Sequence, residues 1–176
     1  MKKFYLEHRN PILIVGVIAV IGLLIYRSAN STSKVSLTPA ILSFASDSQT
    51  VSADAPIKIM VDTKENKVGF VQVRITFDPS KVSLKEEPTP SSEFKTIVKN
   101  TTVDEANSSG IITLAIGLKP GSEGKSGIFE AGILQFEPKV SNEEVTISYD
   151  VTGSQIVTMD AKPLPLEKKD LTILTN

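Results

Sequence analysis

The sequence predicts an all-β domain, an antiparallel β-sandwich, preceded by one N-terminal transmembrane α-helix. A single uncharged apolar run occupies Pro11 to Tyr26, and beyond it apolar residues recur at every second position in short segments. Turn residues separate these segments at short intervals along the chain. Continuous apolar runs are typical of membrane helices, whereas alternation is typical of half-buried strands. We therefore expect an anchored domain built from strands.

The apolar run PILIVGVIAVIGLLIY has sixteen residues. As a helix it would be about 24 Å long, somewhat shorter than the hydrocarbon core of about 30 Å. Phe4, Tyr5 and Leu6 can extend the apolar length, and the long side chains of Arg9 and Arg27 can reach the headgroups. The segment is therefore expected to span a membrane with some local thinning.

Flanking charges predict the orientation of this segment. Lys2, Lys3 and Arg9 precede it, whereas only Arg27 follows closely. Because positive charge is retained on the cytoplasmic side, we expect a single-pass cell-membrane protein with its N-terminus in the cytoplasm and its β-domain extracytoplasmic. Four parts follow: a cytoplasmic stub (1–10), the signal anchor (11–27), a flexible linker (28–36) and the β-sandwich domain (37–176).

Two other interpretations of the N-terminus remain open. A cleaved secretory signal also has a basic start and an apolar run, but the sequence Arg27-Ser28-Ala29 lacks the small-x-small pattern of a cleavage site. A pilin-like N-terminus would continue apolar after its processing site, whereas His8 to Pro11 interrupts the run here. An uncleaved anchor is favoured over both.

Composition excludes several classes of function. The chain has no cysteine, which excludes disulfides, thiolate metal sites and a cysteine nucleophile. The one histidine, His8, precedes the apolar run, so a histidine-based catalytic triad or zinc site in the domain is also excluded. Beyond Arg27 there are 15 basic and 19 acidic residues, and this mildly acidic balance predicts no nucleic-acid binding.

Strands are predicted wherever the period is two. Alternating or apolar segments bounded by turn residues occur at Ile57 to Asp62, Val71 to Phe77, Ile111 to Leu118, Ile128 to Phe136, Val145 to Val151 and Leu171 to Leu174. No stretch after Arg27 has the 3.6-residue period of a helix. At Asp78-Pro79-Ser80, the aspartate is expected to accept a hydrogen bond from the backbone two residues on, and the proline to preset the turn.

The order of these segments resembles the cohesin-type domain, a jelly-roll family known from cellulosome scaffolds and related to carbohydrate-binding modules. The resemblance covers nearly the whole domain, and the Phe77-Asp78-Pro79-Ser80-Lys81 corner is its most distinctive part. The other matching segments are Leu42 to Phe44, Gln49 to Ser52, Ile57 to Asp62, Val68 to Val82, which includes this corner, Gly110 to Ala115, Pro120 to Gly127, Ile133 to Lys139 and Val145 to Tyr149.

The resemblance implies recognition of another protein, such as a dockerin, through one face of the sandwich. It assigns no binding residue here. This chain has no dockerin-like calcium loop, so a dockerin partner would be a separate polypeptide. Carbohydrate binding is the alternative that the family relationship suggests. The chain lacks tryptophan, and Phe70 and Phe94 are the only aromatic residues we expect to be exposed, as weak ligand-binding candidates.

Other functions have weaker support. Carboxylates near predicted strand ends could bind calcium, but no EF-hand spacing occurs, so no cofactor or metal is predicted; these residues are Asp47, Asp54, Asp62, Asp104, Glu105, Asp150 and Asp160. Sequons begin at Asn30, Asn100 and Asn107. No carboxylate pair stands out as a glycosidase centre, so the domain is predicted not to be an enzyme. A structural envelope subunit without a specific ligand remains the third possibility.

Overall fold

Fourteen β-strands and one short helix form the part of the chain that the structure, a computed structural model, describes: residues 37–46, 50–51 and 55–176. The strands are β1 Ala40–Ser46, β2 Thr50–Val51, β3 Ile57–Asp62, β4 Val68–Thr76, β5 Val82–Leu84, β6 Thr89–Pro90, β7 Thr96–Asn100, β8 Ile111–Gly117, β9 Ile128–Leu134, β10 Phe136–Pro138, β11 Glu144–Tyr149, β12 Gln155–Thr158, β13 Leu166–Lys168 and β14 Leu171–Thr175. Helix α1, Val103–Ser109, lies between β7 and β8.

The predicted stub, anchor and linker lie outside the described residues. Within the described ranges, no helix is both long enough and apolar enough to cross a bilayer. The predicted membrane attachment therefore stays a prediction.

The strands form two large sheets and a small one. The seven-stranded sheet has the order β2-β14-β11-β4-β8-β7, with β12 also paired to β4, and the five-stranded sheet has the order β13-β1-β3-β9-β6. Strands β5 and β10 form a separate two-stranded ribbon. Pairing is antiparallel except between β1 and β13 and between β2 and β14. The predicted antiparallel β-sandwich is therefore confirmed, with two parallel additions.

Alternate residues of the central strands build the core between the sheets. Val71, Val73 and Ile75 of β4 are fully buried, as is Leu114 of β8. Leu114 reaches across to the other sheet: a Cβ added to Gly132 of β9 would lie 2.8 Å from Leu114 Cδ2. A side chain at position 132 would therefore collide with Leu114, and glycine lets the two sheets approach closely here.

Tyr149 joins the two sheets by two contacts. Its ring stacks on Phe44 of β1 with the centroids 4.2 Å apart and the planes 14° from parallel. Its hydroxyl donates a hydrogen bond of 2.7 Å to the backbone oxygen of Ser43. Burial, followed by the nearby charge of Asp170, raises the pKa of Tyr149 above its ordinary value. The phenol is thus a buried, neutral donor between the sheets.

Helix α1 corrects the prediction that no helix follows Arg27. Thr102 caps its first turn: Glu105 N donates to Thr102 Oγ1 (3.3 Å), and Thr102 N donates to Glu105 Oε2 (3.4 Å). Gly110 ends it with a φ of 70°, which glycine adopts without steric cost. Only Ala106 is buried among its seven residues, so the helix lacks the apolar periodicity that predicts a helix from sequence.

The corner after β4 agrees with its predicted geometry. Ser80 N donates a hydrogen bond of 2.9 Å to Asp78 Oδ1, as expected for a contact two residues on. Hydrogen bonds from the Ser80 side chain and backbone lower the pKa of Asp78. The corner is therefore a structural turn that leads the chain into β5.

Candidate functional site

The outer face of the seven-stranded sheet is formed by the residues that alternate with the core positions. On β4 these are Phe70, Gln72, Arg74 and Thr76, which are half-buried. Across the ladder they face Gly117, Ala115, Thr113 and Ile111 of β8, in that order. Strand geometry dictates this division, because successive side chains point to opposite faces. The sheet thus presents a face of small, polar and apolar groups with one cation at its centre.

Arg74 is the cation at the centre of this face. Its Nε lies 3.4 Å from Asp150 Oδ2, and 40% of its side chain is exposed. Gly153 makes room for it, because a Cβ on Gly153 would lie 2.3 Å from Arg74 Cδ. The Arg74 stem therefore lies directly over a glycine, with a carboxylate beside it. This arrangement limits the rotamers available to the guanidinium.

Backbone contacts fix the loop that supports Arg74. Asp150 Oδ1 accepts hydrogen bonds from Thr152 N (3.0 Å) and Gly153 N (3.2 Å). Gln72 Nε2 donates to Gly153 O at 3.0 Å, which joins the loop to the outer face. The Asp150 carboxylate therefore serves as a turn former and as the ion-pair partner of Arg74.

The remaining calcium candidates do not converge. Asp62 is engaged by Lys64, whose side-chain and backbone hydrogen bonds lower the pKa of Asp62. Asp104 and Glu105 lie in the first turn of α1, and Asp160 is exposed in a turn. Asp47 and Asp54 fall outside the described residues. Among those described, no three carboxylate or imidazole groups come close enough to hold a metal ion.

The two aromatic ligand candidates have different environments. Phe70 lies half-buried on the outer face of the seven-stranded sheet, opposite Gly117. Phe94, by contrast, is only 3% exposed, and its ring packs on Phe129 with the centroids 5.5 Å apart. The expectation that Phe94 is exposed is therefore corrected: its ring fills the core and cannot stack on a sugar.

Exposed apolar side chains concentrate on the seven-stranded sheet and its rim. In the described part of the chain, five large hydrophobic residues are exposed: Ile97 (56%), Val98 (63%), Ile128 (72%), Met159 (50%) and Leu174 (40%). All except Ile128, which belongs to β9, lie on this sheet or directly after β12. Ile97 and Val98 lie on edge strand β7, whereas Leu174 lies on β14 on the other side of the sheet.

The asparagine side chains of the two described sequons form hydrogen bonds within the domain. Asn107 binds Leu84 twice, because Leu84 N donates to its Oδ1 (2.6 Å) and its Nδ2 donates to Leu84 O (3.0 Å). Asn100 Nδ2 donates to Pro88 O at 2.9 Å. Both amides serve to hold neighbouring segments together.

Arg74, Gly153, Ile97 and Val98 were not identified as site residues from the sequence. The sequence does single out Arg74, because it is a charged residue at an outward position between the apolar residues Val73 and Ile75. The role of Gly153 depends on the loop approaching β4, a contact 80 residues apart along the chain, as between Arg74 N and Ser154 Oγ. Local patterns do not contain such contacts.

The comparisons with known proteins identify the fold. No family model and no curated protein matches the sequence. Solved structures do match: the seventh ScaB type I cohesin from Pseudobacteroides cellulosolvens superposes with a TM-score of 0.62 at 12% identity, over 78% of this chain and 92% of that one. The cohesin module of a Clostridium perfringens family 33 glycoside hydrolase gives 0.61 at 12% identity, over 79% and 98%.

A third similar structure is the third ScaC cohesin from Acetivibrio cellulolyticus, solved in complex with the ScaB dockerin. Its TM-score is 0.61 at 14% identity, over 77% of this chain and 98% of that one. The matches span nearly whole cohesin modules. The described domain therefore has a cohesin-like β-sandwich fold.

Proposed function

We propose that this domain is a non-catalytic recognition module that binds another protein, of the dockerin type, through the outer face of its seven-stranded sheet. The observation that carries the proposal is the partly exposed Arg74 at the centre of this face, which lies beside Asp150 and over Gly153. Arginine is enriched among the residues that dominate interface energies, particularly where it is preordered and partly desolvated. The shared fold supports the proposal, since the Acetivibrio cellulolyticus cohesin was solved bound to a dockerin.

A carbohydrate ligand has less support. Sugar-binding sandwiches stack several flat rings against the sugar, and the burial of Phe94 leaves Phe70 as the one remaining aromatic candidate. A single half-buried ring gives little stacking surface. Glycan binding is therefore kept as an alternative outcome of the binding test.

The test is a binding measurement on the full-length chain, purified in a mild detergent, against a panel of type I and type II dockerins and a glycan array. We expect binding to a dockerin and none to the array. Arg74→Glu should weaken binding by about tenfold or more, because it reverses the central charge of the face. A glycan signal without any dockerin binding would contradict the proposal.

Lys58→Glu is the matched control for Arg74→Glu. Lys58 lies on β3 of the five-stranded sheet and forms a long ion pair of 3.9 Å with Glu130. The two variants change the net charge equally but on opposite sheets, so only Arg74→Glu should affect the partner. If Lys58→Glu alone weakens binding, the other sheet carries the contact.

We further propose that residues 11–27 anchor the domain on the outer side of a cell membrane. The apolar run and the excess of Lys2, Lys3 and Arg9 over Arg27 support this orientation. The chain should remain in the membrane fraction after alkaline extraction, and protease added to intact cells should remove the domain. N-terminal sequencing of the mature protein distinguishes an anchor from a cleaved signal.

A further inference from the structure

Among the described strands, β7 is the longest at an edge of the two large sheets. It has five residues, compared with four in β12, three in β13 and two each in β2 and β6. It pairs with β8 on one side, and no strand of the described residues lies on the other. An edge of this kind leaves backbone N–H and C=O groups available to pair with a strand from another chain.

The side chains of β7 are unusually open. Thr96, Ile97, Val98 and Lys99 are all exposed, with Ile97 at 56% and Val98 at 63%. Ile97 lies opposite Ile116, which is fully buried. Ile97 is exposed because no described strand covers β7 on its other side. An added strand would cover this apolar surface.

Two cations flank the apolar pair. Neither Lys95 nor Lys99 has an ion-pair partner within the described ranges, although nearby Glu93 pairs with Lys125 at 2.6 Å. Beyond Arg27 the chain has 15 basic and 19 acidic residues, so the charge of this edge is opposite in sign to the net charge of the domain. A carboxylate-bearing partner would neutralise both ammonium groups.

These charges argue against a second copy of the chain as the occupant. Antiparallel pairing of two β7 strands centred on Ile97 would place Lys95 of each copy opposite Lys99 of the other, and like charges across a ladder are destabilising. The ladder with β8 also shifts register between Ile97 and Lys99, and a bulge of this kind discourages indiscriminate pairing. The edge therefore opposes an identical strand and suits an acidic one.

We propose that β7 binds an extended acidic segment of a partner protein as an added antiparallel strand. This contact is separate from the sheet face proposed above and does not depend on it. Backbone hydrogen bonds supply the pairing, Ile97 and Val98 supply apolar contact, and Lys95 and Lys99 select for carboxylates.

The probe is a short fluorescent peptide of alternating Glu and Val, titrated into the full-length chain in detergent and followed by anisotropy. A peptide with Lys in place of Glu tests charge selection. The acidic peptide with every backbone amide N-methylated keeps its charges but cannot donate hydrogen bonds. We expect only the unmodified acidic peptide to bind, and the double variant Lys95→Glu, Lys99→Glu to bind it at least about tenfold more weakly.

The control variant is Lys162→Glu, Lys169→Glu, which changes the net charge equally at exposed positions after β12 and β13, away from β7, and should leave peptide affinity unchanged. Circular dichroism verifies that both double variants are folded. Equal binding of the methylated peptide would overturn strand addition, and equal loss in the two double variants would overturn the location. A dimer in analytical ultracentrifugation that Val98→Lys dissociates would identify a second copy as the occupant instead.

Discussion

The two faces of the β4–β8 pair are made from the same strands and yet differ in burial and polarity. Inward positions such as Val73, Ile75 and Leu114 are completely buried and carry no polar atoms in their side chains. Outward neighbours such as Gln72, Arg74 and Thr113 are half-buried and polar. The core requires apolar groups of fitting volume, whereas the outer face tolerates many side chains. Stability should therefore depend on the inward set and recognition on the outward set.

The largest expected effect comes from the inward face. Leu114→Ala should lower the free energy of unfolding by about 2–5 kcal/mol, because it leaves a cavity where the side chain meets Gly132. Thr113→Ala, the adjacent outward position, should cost less than about 1 kcal/mol. Denaturant unfolding measures both, and equal losses would contradict the division between the faces.

Tyr149→Phe tests whether the inward face also depends on a polar contact. The ring keeps its stack on Phe44, but Ser43 O loses its donor, so we expect a loss of about 1–2 kcal/mol. The raised pKa of Tyr149 adds a pH dependence. Above about pH 10 the unfolded chain releases the phenol proton while the folded domain retains it, so stability falls by about 1.4 kcal/mol per pH unit.

The difference between the wild-type chain and Tyr149→Phe isolates this linkage, because other titrating groups are common to both. Denaturant unfolding at several values between neutral pH and pH 11 should show the two proteins approaching each other in stability as the pH rises. A constant difference would mean that the phenol ionises equally in both states.

Gly153→Ala moves the test to the outward face. The added methyl group would overlap the Arg74 stem, and because that side chain is flexible at its end the cost should be about 1 kcal/mol or less. The displaced guanidinium should weaken partner binding more than it weakens folding. Thermal unfolding and dockerin titration on the same sample measure the two quantities, and a loss of stability without loss of affinity would show that Arg74 is not a contact.

The smallest effect is expected for Gln72→Ala, which removes one hydrogen bond to Gly153 O on a half-exposed surface. Its unfolding free energy should change by less than about 0.5 kcal/mol. Thermal unfolding measures the change. A loss above about 1 kcal/mol would show that this contact holds the 150–154 loop in place.

The alternation of apolar residues predicts the strands that are buried on one face. The alternation at Ile57 to Asp62 and Val71 to Phe77 corresponds to β3 and most of β4, because burial on one face imposes period two. Strand β7 escaped prediction because its residues are exposed on both faces at an edge. The predicted segment Ile128 to Phe136 is two strands, since the chain leaves β9 after Leu134 and pairs with β5 from Phe136.

Helix α1 could have been predicted from the Thr102-x-x-Glu105 capping box followed by Gly110, although it has no apolar periodicity.

The site was harder to predict than the fold. No local sequence pattern indicates the environment of Arg74, because Asp150 and Gly153 are distant in sequence and contact it only in the folded sheet. Burial of Phe94 likewise depends on Phe129 from another strand.

The parallel pairing of β1 with β13 has a mechanical consequence. The described domain begins just before β1, and Ala40, Ile41 and Leu42 are in register with Leu166, Glu167 and Lys168. Because these hydrogen bonds lie across the strand direction, a pull on residue 37 along β1 loads them together in shear instead of opening them one at a time. The antiparallel ladder from β1 to β3 shares that load. If the domain is held at residue 37 while a partner pulls on its outer face, β1 is the first strand under load. Its detachment would then require several hydrogen bonds to break at once.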